Sequence, residues 1–340
     1  MFLSAGRDGF ISYIFAFIPQ VLGLVFIVLL AKQNAGKSFG ALCQECFGKV
    51  VTKIIMAVLF VFFAVRILGI DFEIQNFLLE VFYEELYSKV FIIPFFLVVI
   101  YVALKGPRIF ARLSEIFLPF GLLVLLYTLI IAISNAKIIN ALPILANGFA
   151  PALSGIKFAL SQMGDFLAVL FFIENIEIKH DEKPALALGI AGGVTALFMT
   201  GFYFLFVSVF GNVAISLKEG IIRMTQFSTA LNVNFRIDGL SAVMWLPLNV
   251  ILLCLHFFCA GKALGYIFNI KTNKAIFITF LLFILAKFLP FVTNELVFAF
   301  EVNYFIYVSI ILQLFLPVAL YLTSKFKRRV VYEKNIKISA

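Results

Sequence analysis

From residue 10 to residue 31 the chain carries no charged side chain, and at 1.5 Å per helical residue such a run is about 33 Å long, enough to cross ~30 Å of hydrocarbon. Comparable apolar runs are read at 50–70, 94–104, 105–135, 160–178, 185–210, 240–263, 275–291 and 304–321. Inside a bilayer every backbone N–H and C=O has to be bonded within its own segment, so runs of this kind fold as helices. The alternating pattern that barrel strands would need is absent. A water-soluble fold is excluded by composition: 63% of residues are apolar, only 13% are charged, and 44 are Phe, which leaves too little polar surface to cover the chain. The expected class is an all-α polytopic membrane protein forming one transmembrane domain over 1–340.

The net charge of +9 would suggest nucleic acid as a partner in a soluble protein, but here it has another explanation. If the tail Lys325-Phe326-Lys327-Arg328-Arg329 is cytoplasmic, eighteen of the 27 Lys and Arg fall on that side, as the positive-inside rule requires. The charge orients the chain in a lipid bilayer, and no nucleic acid is expected. The first run is too long for a signal-peptide core and has no basic segment before it or cleavage site behind it, so it stays in the mature protein. Nine spans with a cytoplasmic C-terminus put Met1 outside, which raises the expectation of one further helix ahead of it.

Charges within the runs mark the candidate sites, because an ionised side chain at membrane depth has to face a partner, a cavity or a pathway. In Ser161-Gln162-Met163-Gly164-Asp165-Phe166 a glycine precedes a carboxylate in an apolar helix. An unwound turn there would line a cavity, and Gln162, Gly164 and Asp165 are the candidate ligand residues. The competing reading puts Asp165 one turn inside an ordinary helix, reaching the outer interface. Arg66 and Glu73, seven apart in the second run, share a face and read as a pair, bridged by a helix or water. Arg108, Arg112 and Glu115 fall on one face at spacings of four and three and read as an ionic cluster at the membrane boundary. Asn249 and His256, also seven apart, face either a cavity or backbone carbonyls of a neighbouring helix.

Other features read as structural. Cys43-x-x-Cys46 would need two more ligands to hold zinc, and the chain has only His180 and His256, so no metal or other cofactor is expected. Cys254 and Cys259 read as small apolar packing residues. Gly189, Gly193 and Ala196 form a small-residue face suited to close helix packing. Residues 134–159, broken by Pro143, Gly148, Pro151 and Gly155, read as a surface connection between the first half (1–134) and the second (160–340).

Ala5-Gly6-Arg7-Asp8-Gly9-Phe10-Ile11, Ala35-Gly36-Lys37-Ser38, Arg66 with its following acidic residues, Ala111-Arg112-Leu113-Ser114-Glu115-Ile116-Phe117-Leu118-Pro119, Leu142-Pro143-Ile144-Leu145-Ala146-Asn147-Gly148 and Gly164-Asp165 together resemble the B subunits of spore germinant receptors. These GerAB-type permeases belong to the amino acid–polyamine–organocation transporter superfamily. The resemblance implies a LeuT-like bundle of two inverted five-helix repeats, with nine helices seen here of an expected ten. It implies a ligand site formed by the broken first and sixth helices with the third and eighth. The matching residues here are Gln162 to Asp165, Phe62 to Arg66, and Leu253 to Phe257, which contains Cys254 and His256. It further implies a non-enzymatic sensor of a small molecule such as an amino acid, in the spore inner membrane with receptor A and C subunits. The alternative is a secondary amino acid transporter, with Asp165, Glu115 or Glu73 carrying a coupling proton. A membrane-embedded lipid enzyme is disfavoured, since no clustered carboxylates or histidines appear to do its chemistry.

Overall fold

In a computed structural model of the chain, the residues described are 5–34, 36–82, 85–162, 165–175, 184–215, 237–289 and 292–339, with 217, 220, 223 and 224. All regular structure among them is helical: α1 (Gly9–Gln33), α2 (Phe39–Phe47), α3 (Lys49–Phe82), α4 (Glu85–Lys105), α5 (Pro107–Asn135), α6 (Ala150–Gln162), a 3-10 segment (Asp165–Asn175), α7 (Pro184–Phe210), α8 (Ile237–Phe268), α9 (Thr272–Phe288), α10 (Asn294–Phe300), a π-helical turn (Glu301–Phe305) and α11 (Ile306–Ser339), with short 3-10 turns at Gly6–Asp8, Ile138–Ala141 and Gly211–Ile215. Seven stretches are long and apolar enough to cross a membrane: Gly6–Gln33, Lys49–Leu79, Pro107–Asn135, Ala150–Asn175, Leu186–Ala214, Val243–Phe268 and Leu296–Lys327. The protein is therefore an all-helical, multi-pass membrane protein. Two of the nine expected spans are shorter. Pro94–Lys105 is the apolar part of α4, and α9, with Lys274 and Lys287 in its outer turns, has 17 residues, about 25 Å of helix.

α8 packs against α3, α9, α5 and α4, while α1 packs against α7, α6 and α11. One apolar core joins α1, α2, α3, α4, the 3-10 segment, α8 and α9, and Phe supplies much of it. Phe62 stacks on Phe305 at 5.0 Å, Phe172 on Phe258 at 5.4 Å, and Phe63 meets Phe171 edge-on at 5.6 Å. Such pairs add about 0.5–1.5 kcal/mol each beyond the area they bury.

The small-residue face of α7 packs on α1, shifted along the helix from its expected position. Cβ atoms added to Gly192 or Gly193 would lie 3.4 Å from the Phe17 ring, whereas Gly189 faces open space. The Gly-Arg-Asp-Gly turn ahead of α1 is a structural clasp. Arg7 donates to the Leu142 carbonyl at 3.0 Å and to Asn212 Oδ1 at 2.7 Å, Asp8 Oδ1 accepts from the Leu145 N–H at 2.9 Å, and the Tyr203 hydroxyl donates to the Gly6 carbonyl at 2.8 Å. Cys43 and Cys46 lie buried in α2 against α11, and burial pushes both thiols up, away from the thiolate form that a metal or a redox partner needs.

The fifth span starts earlier than expected. Residues 150–159, which the sequence places in the surface connection, belong to the helix Ala150–Gln162, which packs on α1, where Ser12 donates to the Ala152 carbonyl at 2.7 Å. The close approach is made possible by Gly155, whose added Cβ would sit 2.6 Å from Ala5 Cβ. Asp165 thus lies in the interior of the span Ala150–Asn175, away from its ends, and not one turn into it.

Candidate functional site

α6 ends at Gln162 and the chain resumes at Asp165 as a 3-10 helix of 11 residues. Runs of more than three or four residues in this form are uncommon, and long ones mark hinges or functional sites. The sequence favours the form here, since Leu167, Leu170 and Ile173 are buried at a spacing of three, the period of a 3-10 helix. Asp165 opens the segment. Gly164 lies outside the described residues, as does the side chain of Gln162.

Asp165 meets two other helices. From α3, Arg66 approaches side-on, with Nε 3.1 Å from Oδ1 and Nη2 3.0 Å from Oδ2, a two-pronged pair whose arginine side chain is 9% exposed. From α8, His256 Nε2 lies 3.2 Å from Oδ1, while its Nδ1 donates to the Leu252 carbonyl at 2.7 Å. The imidazole is fully buried, edge-on to Phe63 at 5.7 Å. Glu301, on the π-helical turn, brings a second carboxylate to within 4.0 Å of Arg66 Nη1. It fits because α3 has no side chain at Gly69, where a Cβ would run into the Glu301 carboxylate.

Of these groups Asp165 borders a cavity of about 810 Å³. Tyr13, Phe17 and Gln20 of α1, Glu73 of α3, Asp165 and Phe166 of the 3-10 segment, Thr195 and Met199 of α7 and Trp245 of α8 contribute to its wall. Trp245 is held by a stack on Phe77 at 4.0 Å. The amide nitrogen of Gln20 is buried and has no hydrogen-bond partner among the described residues. The lining suits a small polar molecule with apolar parts: two carboxylates, hydroxyls and an amide among aromatic faces. Among the described residues, no group of three His, Cys, Asp or Glu converges as a metal site. A second cavity of about 300 Å³ lies at the other end of the 3-10 segment, bordered by Ser38, Phe39, Glu174, Lys262 and Tyr266. There Lys262 pairs with Glu174 and donates to the Phe171 carbonyl at 3.0 Å.

Of the residues marked in the sequence, the structure gathers Asp165, Arg66, His256 and Glu73. Arg66 takes Asp165, 99 residues away, as its two-pronged partner, rather than Glu73 on its own helix. Asn249 donates to the Trp245 carbonyl at 2.9 Å, a bond within its own helix rather than to a neighbour. Cys254 points its thiol at the Val99 carbonyl of α4, 3.3 Å away. Arg108, Arg112 and Glu115 are all exposed on α5, and among the described residues no ion pair joins them. At the membrane boundary water competes for such side chains, and pairing gains little. Gln20 and Glu301 were not marked in the sequence. Glu301 was legible as a lone carboxylate three residues before the last expected span, and Gln20 as an amide in the middle of the first.

The family model described as "Spore germination protein" (spore permease) matches residues 3–296. The chain is also similar to the spore germination protein YndE of Bacillus subtilis (strain 168), with 24% identity over 285 residues that cover 79% of this chain and 74% of the relative. With the match running through α3, the 3-10 segment and α8, the chain belongs to the spore germination protein family.

Proposed function

We propose that this spore germination protein is the membrane-embedded, ligand-sensing subunit of a nutrient-germinant receptor, and that a small molecule such as an amino acid enters the cavity beside Asp165. The reading rests on one observation: Asp165, the carboxylate at which three separate helices meet, borders a cavity of about 810 Å³, in the size range of small-ligand sites. A ligand that engages Glu73, Gln20 or Asp165 changes the electrostatics that hold the 3-10 segment to α3 and α8. That segment is the element through which occupancy would be passed on. No covalent chemistry is needed.

In this proposal the helices form a LeuT-like inverted-repeat bundle, in which the nine expected spans include α4 and α9, with halves 1–134 and 160–340. The C-terminus is cytoplasmic in the spore inner membrane, and receptor A and C subunits receive the signal. A second reading, a secondary amino acid transporter, draws support from the second cavity at the other end of the same segment. Spores carrying Asp165→Asn test the first reading: the nutrient dose response should be lost while the protein is still inserted. An unchanged dose response removes Asp165 from the site. Uptake of radiolabelled amino acids into vesicles containing the chain would favour the transporter.

A further inference from the structure

We propose that His256 and Asp165 form a proton-binding site within the bundle, with one proton held on the imidazole Nε2 and shared with the carboxylate, and that its occupancy controls the docking of the 3-10 segment on α8. The proposal does not depend on the neighbouring cavity being a ligand site.

It follows from hydrogen-bond directions. The Leu252 carbonyl can only accept, so His256 Nδ1, 2.7 Å away, carries a hydrogen. If the ring were neutral, Nε2 would then have a lone pair, facing the Asp165 Oδ1 at 3.2 Å. Two acceptors would oppose each other. The contact is a hydrogen bond only when a proton sits between them, either on the carboxyl group or on the ring. Arg66 selects the ring, because its Nε and Nη2 donate to both carboxylate oxygens, at 3.1 and 3.0 Å, the arrangement of an ionised carboxylate.

The charged groups facing this pair come from every neighbouring element. α3 supplies Arg66 and Glu73, the π-helical turn supplies Glu301, and α8 supplies Lys262, which is paired with Glu174 at the far end of the segment. The neutral titratable groups nearby are the Tyr13 hydroxyl on the cavity wall and the buried Cys259 thiol. With the proton present, Arg66 and imidazolium are two cations beside the Asp165 carboxylate and the carboxyl groups of Glu73 and Glu301. Without it, Arg66 is left as the one cation of this centre among the described residues and the Asp165–His256 contact becomes repulsive. The far end of the segment remains tied to α8 through Lys262, so loss of the proton releases its first turn and not its last.

The chain has two histidines, so a His180→Gln parent leaves one imidazole to observe. The full chain, 15N-labelled at histidine and placed in lipid nanodiscs, would be followed by NMR across a pH series, because ring nitrogen shifts separate imidazolium from the two neutral tautomers. The expected result is a single step from imidazolium to the Nδ1–H tautomer as pH rises, with the imidazolium signal lost in Asp165→Asn at pH values where the parent shows it. A ring that is neutral throughout, an Nε2–H tautomer, or a step unmoved by Asp165→Asn would overturn the proposal. If Asp165→Asn does not fold, the parent spectrum decides alone: imidazolium giving way to Nδ1–H supports the site, and its absence at every pH refutes it.

Discussion

Two groups of charges look alike along the chain and end in opposite environments. Arg108, Arg112 and Glu115 repeat at helical spacing and read as a self-contained ionic cluster, yet all three are exposed on α5. Arg66 and Asp165 belong to different runs 99 residues apart, yet they meet inside the bundle with His256 as a third member. The difference lies in depth. Near the end of a span, long side chains reach water and headgroups and need no partner. In the middle of a span they have little of that solvent, so the fold has to bring in a partner from another helix.

The largest expected effect follows from that depth. Arg66→Ala leaves Asp165 without its two-pronged partner in a poorly solvated interior, and removing one side of a buried pair costs about 3–5 kcal/mol. Denaturant unfolding of the full chain in detergent measures it, and a loss below about 1 kcal/mol would place the pair in effectively aqueous surroundings. Next comes Gly69→Ala, where the added methyl meets the far end of the Glu301 side chain, which has to swing aside. A flexible side chain yields more easily than backbone, so the cost falls at the low end of the range for overpacking, about 1 kcal/mol, read by the same unfolding assay. The smallest effect is at the boundary cluster. Arg112→Ala and Glu115→Ala should each change stability by less than about 0.5 kcal/mol and add independently. A coupling between them as large as that at the centre would erase the distinction between the two regions.

Much of this organisation was legible from residues alone. The first run, 10–31, coincides with α1 to within two residues, because an uncharged stretch of that length has few other fates. Asp165 stood out as a carboxylate in an apolar run and His256 as a polar residue on a buried face. Their partners did not, because periodicity relates residues on one helix and says nothing about which helix lies opposite. Hence spacing sets Arg66 against Glu73, leaves Asn249 facing either a cavity or a neighbouring helix, and leaves Glu301 unmarked ahead of a last span that begins at 304. It starts the fifth span at 160 because Pro151 and Gly155 look like breakers. In the bundle Pro151 sits in the first turn of α6, where a proline has no helical hydrogen bond to lose, and Gly155 is the point of close approach to α1. The Gly-Arg-Asp-Gly turn is one piece of the family resemblance and serves as a clasp, which no spacing rule would have revealed.

The most direct test of the charged centre is a double-mutant cycle on Arg66 and Asp165, using alanine at each position and unfolding of the full chain in detergent. The account predicts that the double variant is more stable than either single one, with a coupling of about 2 kcal/mol or more, because removing both charges leaves neither stranded. Single losses that simply add in the double variant, to within about 0.5 kcal/mol, would contradict it.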